Sequence, residues 1–473
     1  MGRIGAHLSG IERALLNSLA EASAAATINS LRLATGKNVN ASRDDPSAFL
    51  ALSQLQGRLS TVTATMANVT AASSMVSQTQ TTLDQIRTQL DTIRTELLKD
   101  EDRTLTAAER AEAQGNIDAA ITEIESLAGT QIDGRRLLDG SADYVVSGRN
   151  TSQIAELRVH STRHGSAPTI YANVASSATR ASLVYTGSGG NATSDATFTL
   201  TGERGSVSIT VTNGESLQND VRERINDNSH LTGVTASVDG DDLTLTSVEY
   251  GSRAEISVVV TSDTFDVTGG NGDGTANGTD AVATINGVVA SNVDGNRFTV
   301  SQNGFHFEIE FVPGFTGDSG TITVSGNALS FALSTDLAYR SSLSIPGLHA
   351  ARLGGLSGRL DQIASAGTVS GLDGNTSQAI RIVDEALADL TRVEGSVDGF
   401  YNAAVTTSSN LFSDLEDDLE AAIAGTDGHD ANEETILLAK NLQLASNAEA
   451  ALTILNQRRS GMVLVLQKIA GLI

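Results

Sequence analysis

The sequence predicts an α+β chain, helical at both ends and β-rich in the middle. Three observations carry this. Apolar residues repeat every seven positions across residues 52–97 and again from Val383. Strand-like alternation fills residues 196–212 and 281–324. Composition shifts with the pattern. Arg58 to Gln114 holds neither Gly nor Pro, residues 186–335 are dominated by Gly, Asp, Asn, Thr and Val, and the chain after about residue 376 is again free of Pro.

The first long helix is read from Leu55, Val62, Val69, Val76, Leu83, Leu90 and Leu97, with Leu52, Leu59, Met66, Ile86 and Ile93 as the companion row. An ordinary helix drifts away from a strict seven-residue repeat, so a sustained one means lengthwise packing, as in a coiled coil. Some 40 residues at this spacing make a rod of roughly 60 Å. A second helix starts at a capping box, Thr106 with Glu109, continues through Ile117, Ile121, Ile124 and Ala128, and stops at Gly129. Asn375 with Gln378 marks a third start, followed by Val383, Leu390, Val397, Ala404 and Leu411 at sevens. Gly425-Thr-Asp-Gly-His breaks that helix, and Asp430 with Glu433 caps the last one. Both chain ends carry a narrow apolar stripe: Ile4, Leu8, Ile11, Leu15, Leu19 and Ala22 at one, and Leu452, Leu455, Met462, Leu466, Ile469 and Ile473 at the other. Chain ends fray unless they dock, so these stripes are expected to pair with each other and with neighbouring copies.

In the middle, strands are expected at 196–201, 207–211, 233–238 and 243–247. A short helix at Leu217, Val221 and Ile225 precedes the third, and a hairpin turn sits at Asp239-Gly240. A second β unit is expected over 281–324. Between them Gly269-Gly-Asn-Gly-Asp-Gly-Thr-Ala-Asn-Gly278 reads as a solvated linker.

The 473 residues carry 31 Lys+Arg against 56 Asp+Glu, a net charge of −25, and no Cys. So acidic a chain is a poor binder of nucleic acid, and without Cys it has no disulfide, thiolate metal site or thiol nucleophile. Residues 191–330 hold 19 acidic residues against 5 Arg and no Lys, whereas residues 1–100 are nearly balanced. No apolar run is long enough to span a membrane. The opening Met1-Gly-Arg-Ile-Gly-Ala-His-Leu-Ser-Gly10 lacks the apolar core of a cleaved signal, so none is expected. Enzyme motifs fail one by one. Asp273 is one place out of register for a repeat-type calcium loop. His160 and His164 follow a strand, and His306-Phe-Glu-Ile-Glu310 alternates as a strand rather than forming a zinc-protease helix. Asp44-Asp45-Pro46 reads as a turn or helix start. Asn191-Ala-Thr and Asn277-Gly-Thr are glycosylation sequons by pattern only. No cofactor, no metal and no catalysis are expected.

Three stretches together resemble bacterial flagellin, the subunit of the flagellar filament. They are Leu33-Ala-Thr-Gly-Lys-Asn-Val-Asn-Ala-Ser-Arg-Asp-Asp-Pro-Ser-Ala48, Thr130-Gln-Ile-Asp-Gly-Arg-Arg-Leu-Leu-Asp-Gly140, and Ile225-Asn-Asp-Asn-Ser-His-Leu-Thr-Gly-Val-Thr-Ala-Ser237 followed by Tyr250-Gly-Ser. The end, Leu464-Val-Leu-Gln-Lys-Ile-Ala-Gly-Leu-Ile473, has the same shape. In the second stretch Ile132 and Asp133 stand where the family has Phe and Asn, and Met1 to Asn17 matches the family's opening poorly. At Ile93-Arg-Thr-Glu-Leu97, Ile93 and Thr95 replace both arginines of the segment by which innate-immune receptors recognise some flagellins, so that recognition is not carried over.

The resemblance implies a long coiled-coil-like helical hairpin with an inserted β-rich outer region. It places residues 1–44 with 432–473 in an inner terminal domain and 45–185 with 336–431 in a helical shell. Residues 186–335 form the surface-exposed part, as subdomains 186–265 and 281–335. It implies a homopolymer whose terminal helices fold on assembly outside the cell, served by an export apparatus and chaperone and by cap and hook-junction proteins. The expected filament interface is Ile11, Leu15, Leu19, Leu452, Leu455, Met462, Leu466 and Ile469, and the expected connector is Gly36, Asp44, Asp45 and Pro46. Alternatives are a hook–filament junction protein, which shares the helical ends, and a filament-borne adhesin using residues 186–335.

Overall fold

The computed structural model describes residues 10–100, 104–162, 167–326, 328–336, 339–370, 372 and 375–469, without the side chains of 465–469. Ile4, Leu8, His164 and Ile473 therefore lie outside the described residues, as do the side chains of Leu466 and Ile469. The chain divides into two compact units, one formed by residues up to Ala67 with those from Asn410 onward, the other by Asn68–Ser409.

The first unit holds helix α1 (Gly10–Thr35), the beginning of α2 (Pro46–Leu98), most of α7 (Thr407–Asp427), and α8 (Ala431–Ile469). α1 and α8 pair antiparallel: Asn29 and Arg32 meet Glu434 near one end, and Glu12 meets Arg459 near the other.

The second unit is built on a helical bundle. The rest of α2, α3 (Ala107–Ala128) and α6 (Thr376–Phe400) bury Leu83, Ile86, Leu90, Ile93 and Leu97 against Ile117, Ile124, Ile380, Val383, Leu390 and Val397. From Val76 to Leu97 the seven-residue row of α2 is thus part of the bundle core. Thr106 and Glu109 form the expected capping box of α3. The expected cap at Asn375 and Gln378 does not form: Asn375 makes no side-chain cap bond, and Gln378 donates instead to the Ser357 carbonyl. α2 and α6 run antiparallel, held at their rims by the forked pair Arg87–Glu394 and by Arg94–Asp384 at 2.8 Å. Such half-exposed pairs contribute about 0–1 kcal/mol each, so the apolar core decides the stability.

One stripe departs from its expected course. Val397 is buried, but Leu411 is 59 % exposed, while Val405, Phe412 and Leu419 are buried. A π-helical turn over Tyr401–Thr406 inserts one residue, so the row shifts from 404 and 411 to 405, 412 and 419.

After α3 the chain makes a short hairpin, β1 (Gln131–Ile132) and β2 (Arg135–Arg136), with Asp133 and Gly134 both at positive φ (51° and 75°) as a two-residue primed turn requires. It then contributes β3 (Val145–Ser147), β4 (Ile154–Ser161) and β5 (Thr169–Ser176) to an inner β lobe. Next comes a complete outer lobe: β6 (Ser182–Thr186), β7 (Ala196–Gly202), β8 (Gly205–Val211), helices α4 (Arg222–Asp227) and α5 (Ser229–Thr232), β9 (Val234–Asp239), β10 (Asp242–Ser247), β11 (Glu255–Asp263), β12 (Val267–Thr268) and β13 (Thr275–Asn277). Only then is the inner lobe finished, by β14 (Val282–Ile285), β15 (Val288–Val289), β16 (Val293–Asp294), β17 (Arg297–Gln302), β18 (Phe305–Phe311) and β19 (Gly317–Ser325). The inner lobe has sheets ordered β15-β14-β5-β19-β3 and β16-β17-β18-β4; the outer lobe has β12-β6-β10-β9 and β13-β11-β7-β8.

Two consecutive subdomains, 186–265 and 281–335, are therefore not what forms. The outer lobe is nested in the inner one, and the β region begins near residue 144 because β5 lies at the centre, and β4 at the edge, of sheets completed more than 100 residues later. The stretch 269–278 is no free linker either. Its Thr275–Asn277 pairs with β11, and Asp273 accepts from the Thr275 backbone and hydroxyl.

Leu90 is fully buried in the bundle core. Leu90→Ala is expected to destabilise the bundle by about 2–5 kcal/mol. A shift of the helical unfolding transition in denaturant, followed by far-UV circular dichroism, checks this.

Candidate assembly surface and charged helix face

α1 ends because Gly36 takes φ 72°, a left-handed stop that returns its N–H to the Arg32 carbonyl at 2.8 Å. The next residues hang on two aspartates. Asp427, at the end of α7, accepts from Val39 N–H at 3.1 Å through its side chain and from Asn38 N–H at 2.6 Å through its carbonyl. Asp44 accepts from Asn40 N–H and Ala41 N–H at 3.1 and 2.9 Å. Asp45 caps α2, its Oδ1 receiving Ser47 N–H and Ala48 N–H, both at 2.9 Å, with Pro46 at the first helical position. The bonds from Ala48 and Ser47 hold the Asp45 carboxyl below the usual carboxylate range. The expected connector residues thus have separate local roles: Gly36 stops one helix, Asp44 folds the turn, and Asp45 with Pro46 starts the next.

Between α1 and α8 the seam follows a 3–4 row, Glu12, Leu15, Leu19, Ala22, Ala26 and Asn29, facing Glu434, Asn441, Ala448, Leu452, Leu455 and Arg459. Alanines let the helices approach closely. The polar layers fix register and direction: Glu434 receives bonds from Asn29 and Arg32, and Asn441 donates to Asn29 at 2.9 Å. Desolvation alone would raise the Glu434 pKa, but the bonds from Asn29 and Arg32 hold it below the ordinary carboxylate value.

Of the expected interface residues, Leu15, Leu19, Leu452 and Leu455 are half-buried in this intrachain seam. Ile11 lies off it at 64 % exposure, and Met462, which continues the α8 row beyond Arg459, is also 64 % exposed. The other faces of the pair carry further exposed apolar side chains: Leu16, Ile28 and Leu31 on α1, and Ile436, Leu442, Leu444 and Ile454 on α8. Reading only one stripe per helix missed this second apolar face.

In the second unit, sequence reasoning also missed the polar face of α6. Arg381, Asp384, Glu385, Asp389 and Arg392 recur at helical spacing, opposite the apolar stripe. Asp389 receives Arg158 of β4 at 2.9 Å and Arg392 of its own helix. Arg158 also pairs with Glu156, and Arg297 of β17 with Glu310. Burial pushes Asp389 and Glu385 above their ordinary values. Arg381 is pushed down to about 10 by burial and by Arg204 nearby. A cavity of about 460 Å³ lies at this junction, lined by Glu156, Arg204, Arg297, Asp384, Glu385 and Arg392 among others. Among its charged groups Arg204 pairs with Glu249 and Asp384, and Arg297 with Glu156 and Glu310. His160 faces Glu308 across the sheet at 3.6 Å, and no metal-holding cluster of His, Asp or Glu occurs among the described residues. No described helix is long and apolar enough to cross a membrane.

The Ile225-Asn226 pair has a plain structural reason. Ile225 is fully buried, and the Asn226 side chain both donates to the Ala236 carbonyl at 3.0 Å and accepts from the Ala236 N–H at 2.8 Å, clamping α4 to β9.

Comparison with known families gives two matches. Residues 10–143 match the bacterial flagellin N-terminal helical region, and residues 197–249 match the flagellin hook IN motif. No curated protein sequence matches the chain. Among solved structures, the flagellar junction protein FlgL from Legionella pneumophila overlaps 80 % of this chain and 99 % of its own, at 13 % identity and a TM-score of 0.29. FlgL from Xanthomonas campestris overlaps 78 % and 99 %, at 10 % identity and 0.29. The D2-D3 domains of the flagellar cap protein FliD from Escherichia coli overlap 39 % and 99 %, at 20 % identity and 0.28. These overlaps are loose superpositions.

Because the Glu434 pKa is depressed in the folded chain, its contribution to α1–α8 pairing is present above the unfolded value of about 4.3 and is lost as pH falls through the folded value. The protection of α1 amides, measured as exchange relative to the intrinsic rate at each pH, is expected to fall on acidification below about pH 4.3. Glu434→Gln is expected to flatten that dependence.

Proposed function

We propose that the chain is a flagellin-type structural subunit of the flagellum and that it polymerises into the flagellar filament through the outer faces of α1 and α8. The observation that carries this reading is the set of exposed apolar side chains around a helix pair whose intrachain seam is already closed. Leu16, Ile28, Leu31, Leu442, Leu444 and Ile454 are each at least 38 % exposed. Fully burying one Leu or Ile contributes about 1.5–3 kcal/mol, against about 0–1 kcal/mol for an exposed ion pair. Contacts between copies are therefore governed by these residues, joined by Ile11 and Met462. Leu15, Leu19, Leu452 and Leu455 act one step earlier, by joining the two helices into one surface. Leu466 and Ile469 extend the α8 row. A contact that repeats without closing into a ring yields an open helical polymer.

The role is structural rather than catalytic. Export to the cell exterior requires an export apparatus and a chaperone, and growth requires cap and hook-junction partners. The acidic β lobes face solvent, where like charge keeps copies apart. A hook–filament junction role is separated by abundance, since a filament subunit dominates sheared appendages.

Deleting residues 440–473 is expected to leave a soluble protein that does not polymerise. Ile454→Asp, which leaves the α1–α8 seam intact, is expected to abolish seeded growth while preserving helicity. Long filaments by electron microscopy from both variants would overturn the assignment of these faces.

A further inference from the structure

The bundle, the inner lobe and the outer lobe each bury their own apolar cluster, and no cluster is shared between them. What joins the outer lobe to the bundle is polar. Ser377 of α6 donates to the Asp227 carbonyl at the end of α4, and its hydroxyl lies 3.4 Å from His230 Nδ1 in α5. Arg381 donates through Nη1 to the Ser229 hydroxyl and lies 3.4 Å from the Ser357 hydroxyl through Nε. Arg204, in the β7–β8 turn, reaches Asp384 at 3.5 Å and Glu385 at 4.0 Å, and Asp384 is held in turn by Arg94 of α2. Ser229 and Thr232 are fully buried, and Arg381 is nearly so. The same α4–α5 segment that clamps β9 through Asn226 thus turns its other side to α6.

We propose that residues 222–232 form a releasable latch between the outer β lobe and α6, giving the lobe a docked and an undocked state.

A joint of this kind opens at small hydrophobic cost, because no apolar core is split when it parts. Opening exchanges the Arg381–Ser229 hydrogen bond for hydrogen bonds to water, so the bond holds the docked state by only a modest net gain. The cavity beside the latch, lined by Arg204, Asp384 and Glu385, already provides a polar interior for that water. The lobe stays tethered by the neck, where Thr179 and Thr279 pair through backbone and hydroxyls (2.9 and 2.8 Å). Gly251, Gly278 and Gly295 pack there so closely that a Cβ would fall within 2.8 Å of backbone. The competing account is that this tight neck alone sets the orientation of the lobe and that the latch contributes nothing. The latch is independent of the assembly reading, since all its residues lie in the 68–409 unit.

The chain contains no Cys, so Asn213→Cys on the outer lobe and Thr88→Cys on α2, both exposed, accept spin labels cleanly. In the full-length protein, electron–electron resonance is expected to give one distance in the parent. In Ser377→Ala/Arg381→Gln a second, longer distance should appear, with faster exchange at the Gly233 amide. Arg204→Gln, a change in an outer-lobe turn rather than in the bundle, should shift the populations the same way and covers the case in which the first variant fails to fold. A single unchanged distance in a folded variant would overturn the latch and leave orientation to the neck.

Discussion

The apolar side of α6 closes against α2 and α3, while its other side presents Arg381, Asp384, Glu385, Asp389 and Arg392 to the β lobes. The rest of the 68–409 unit depends on this division. Val383, Leu390 and Val397 lose all contact with water and tie the bundle together. The charged side fixes two independently cored lobes without merging their cores with that of the bundle. Had the second face been apolar too, β lobes and bundle would share one core and could not part. Because it is charged, the lobes are positioned by specific pairs such as the largely buried Arg158–Asp389 rather than by apolar burial.

The same logic applies in reverse to the terminal helices. Their intrachain seam is narrow, rich in Ala, and crossed by polar layers at Asn29–Glu434–Asn441 and Glu12–Arg459. Those layers cost stability but forbid slipped or parallel pairings. Apolar residues that a monomer would normally hide remain on the outer faces instead. For a subunit that builds a polymer, this separates two tasks. Polar layers settle how the chain pairs with itself, and in the proposed polymer exposed Leu and Ile settle how strongly copies adhere.

Much of this was legible in the residues. The seven-residue row of α2 predicts the bundle core, Thr106 and Glu109 predict the start of α3, and the strand alternation of 196–211 and 297–311 appears as paired strands. Three things were not legible. The nesting of the outer lobe depends on partners over 100 residues apart, such as β4 with β18, and local periodicity carries no such information. The π-helical turn at Tyr401–Thr406 moves a row by one residue through hydrogen bonding that propensity does not encode. The charged stripe of α6 was visible at helical spacing, but such a stripe ordinarily faces solvent, and only the fold shows that it faces two lobes. Among assembly residues, Leu15 and Leu452 were found as apolar, but the sequence did not separate the seam from the outer face.

Assembly through the outer faces of α1 and α8 is tested most directly by hydroxyl-radical footprinting of Leu442, Leu444 and Ile454 in the monomer and in polymer grown from it. The account predicts strong labelling in the monomer and marked protection in the polymer, with the exposed Val288 and Val289 of the inner lobe labelled alike in both. Equal labelling of the three α8 residues in both states would contradict it.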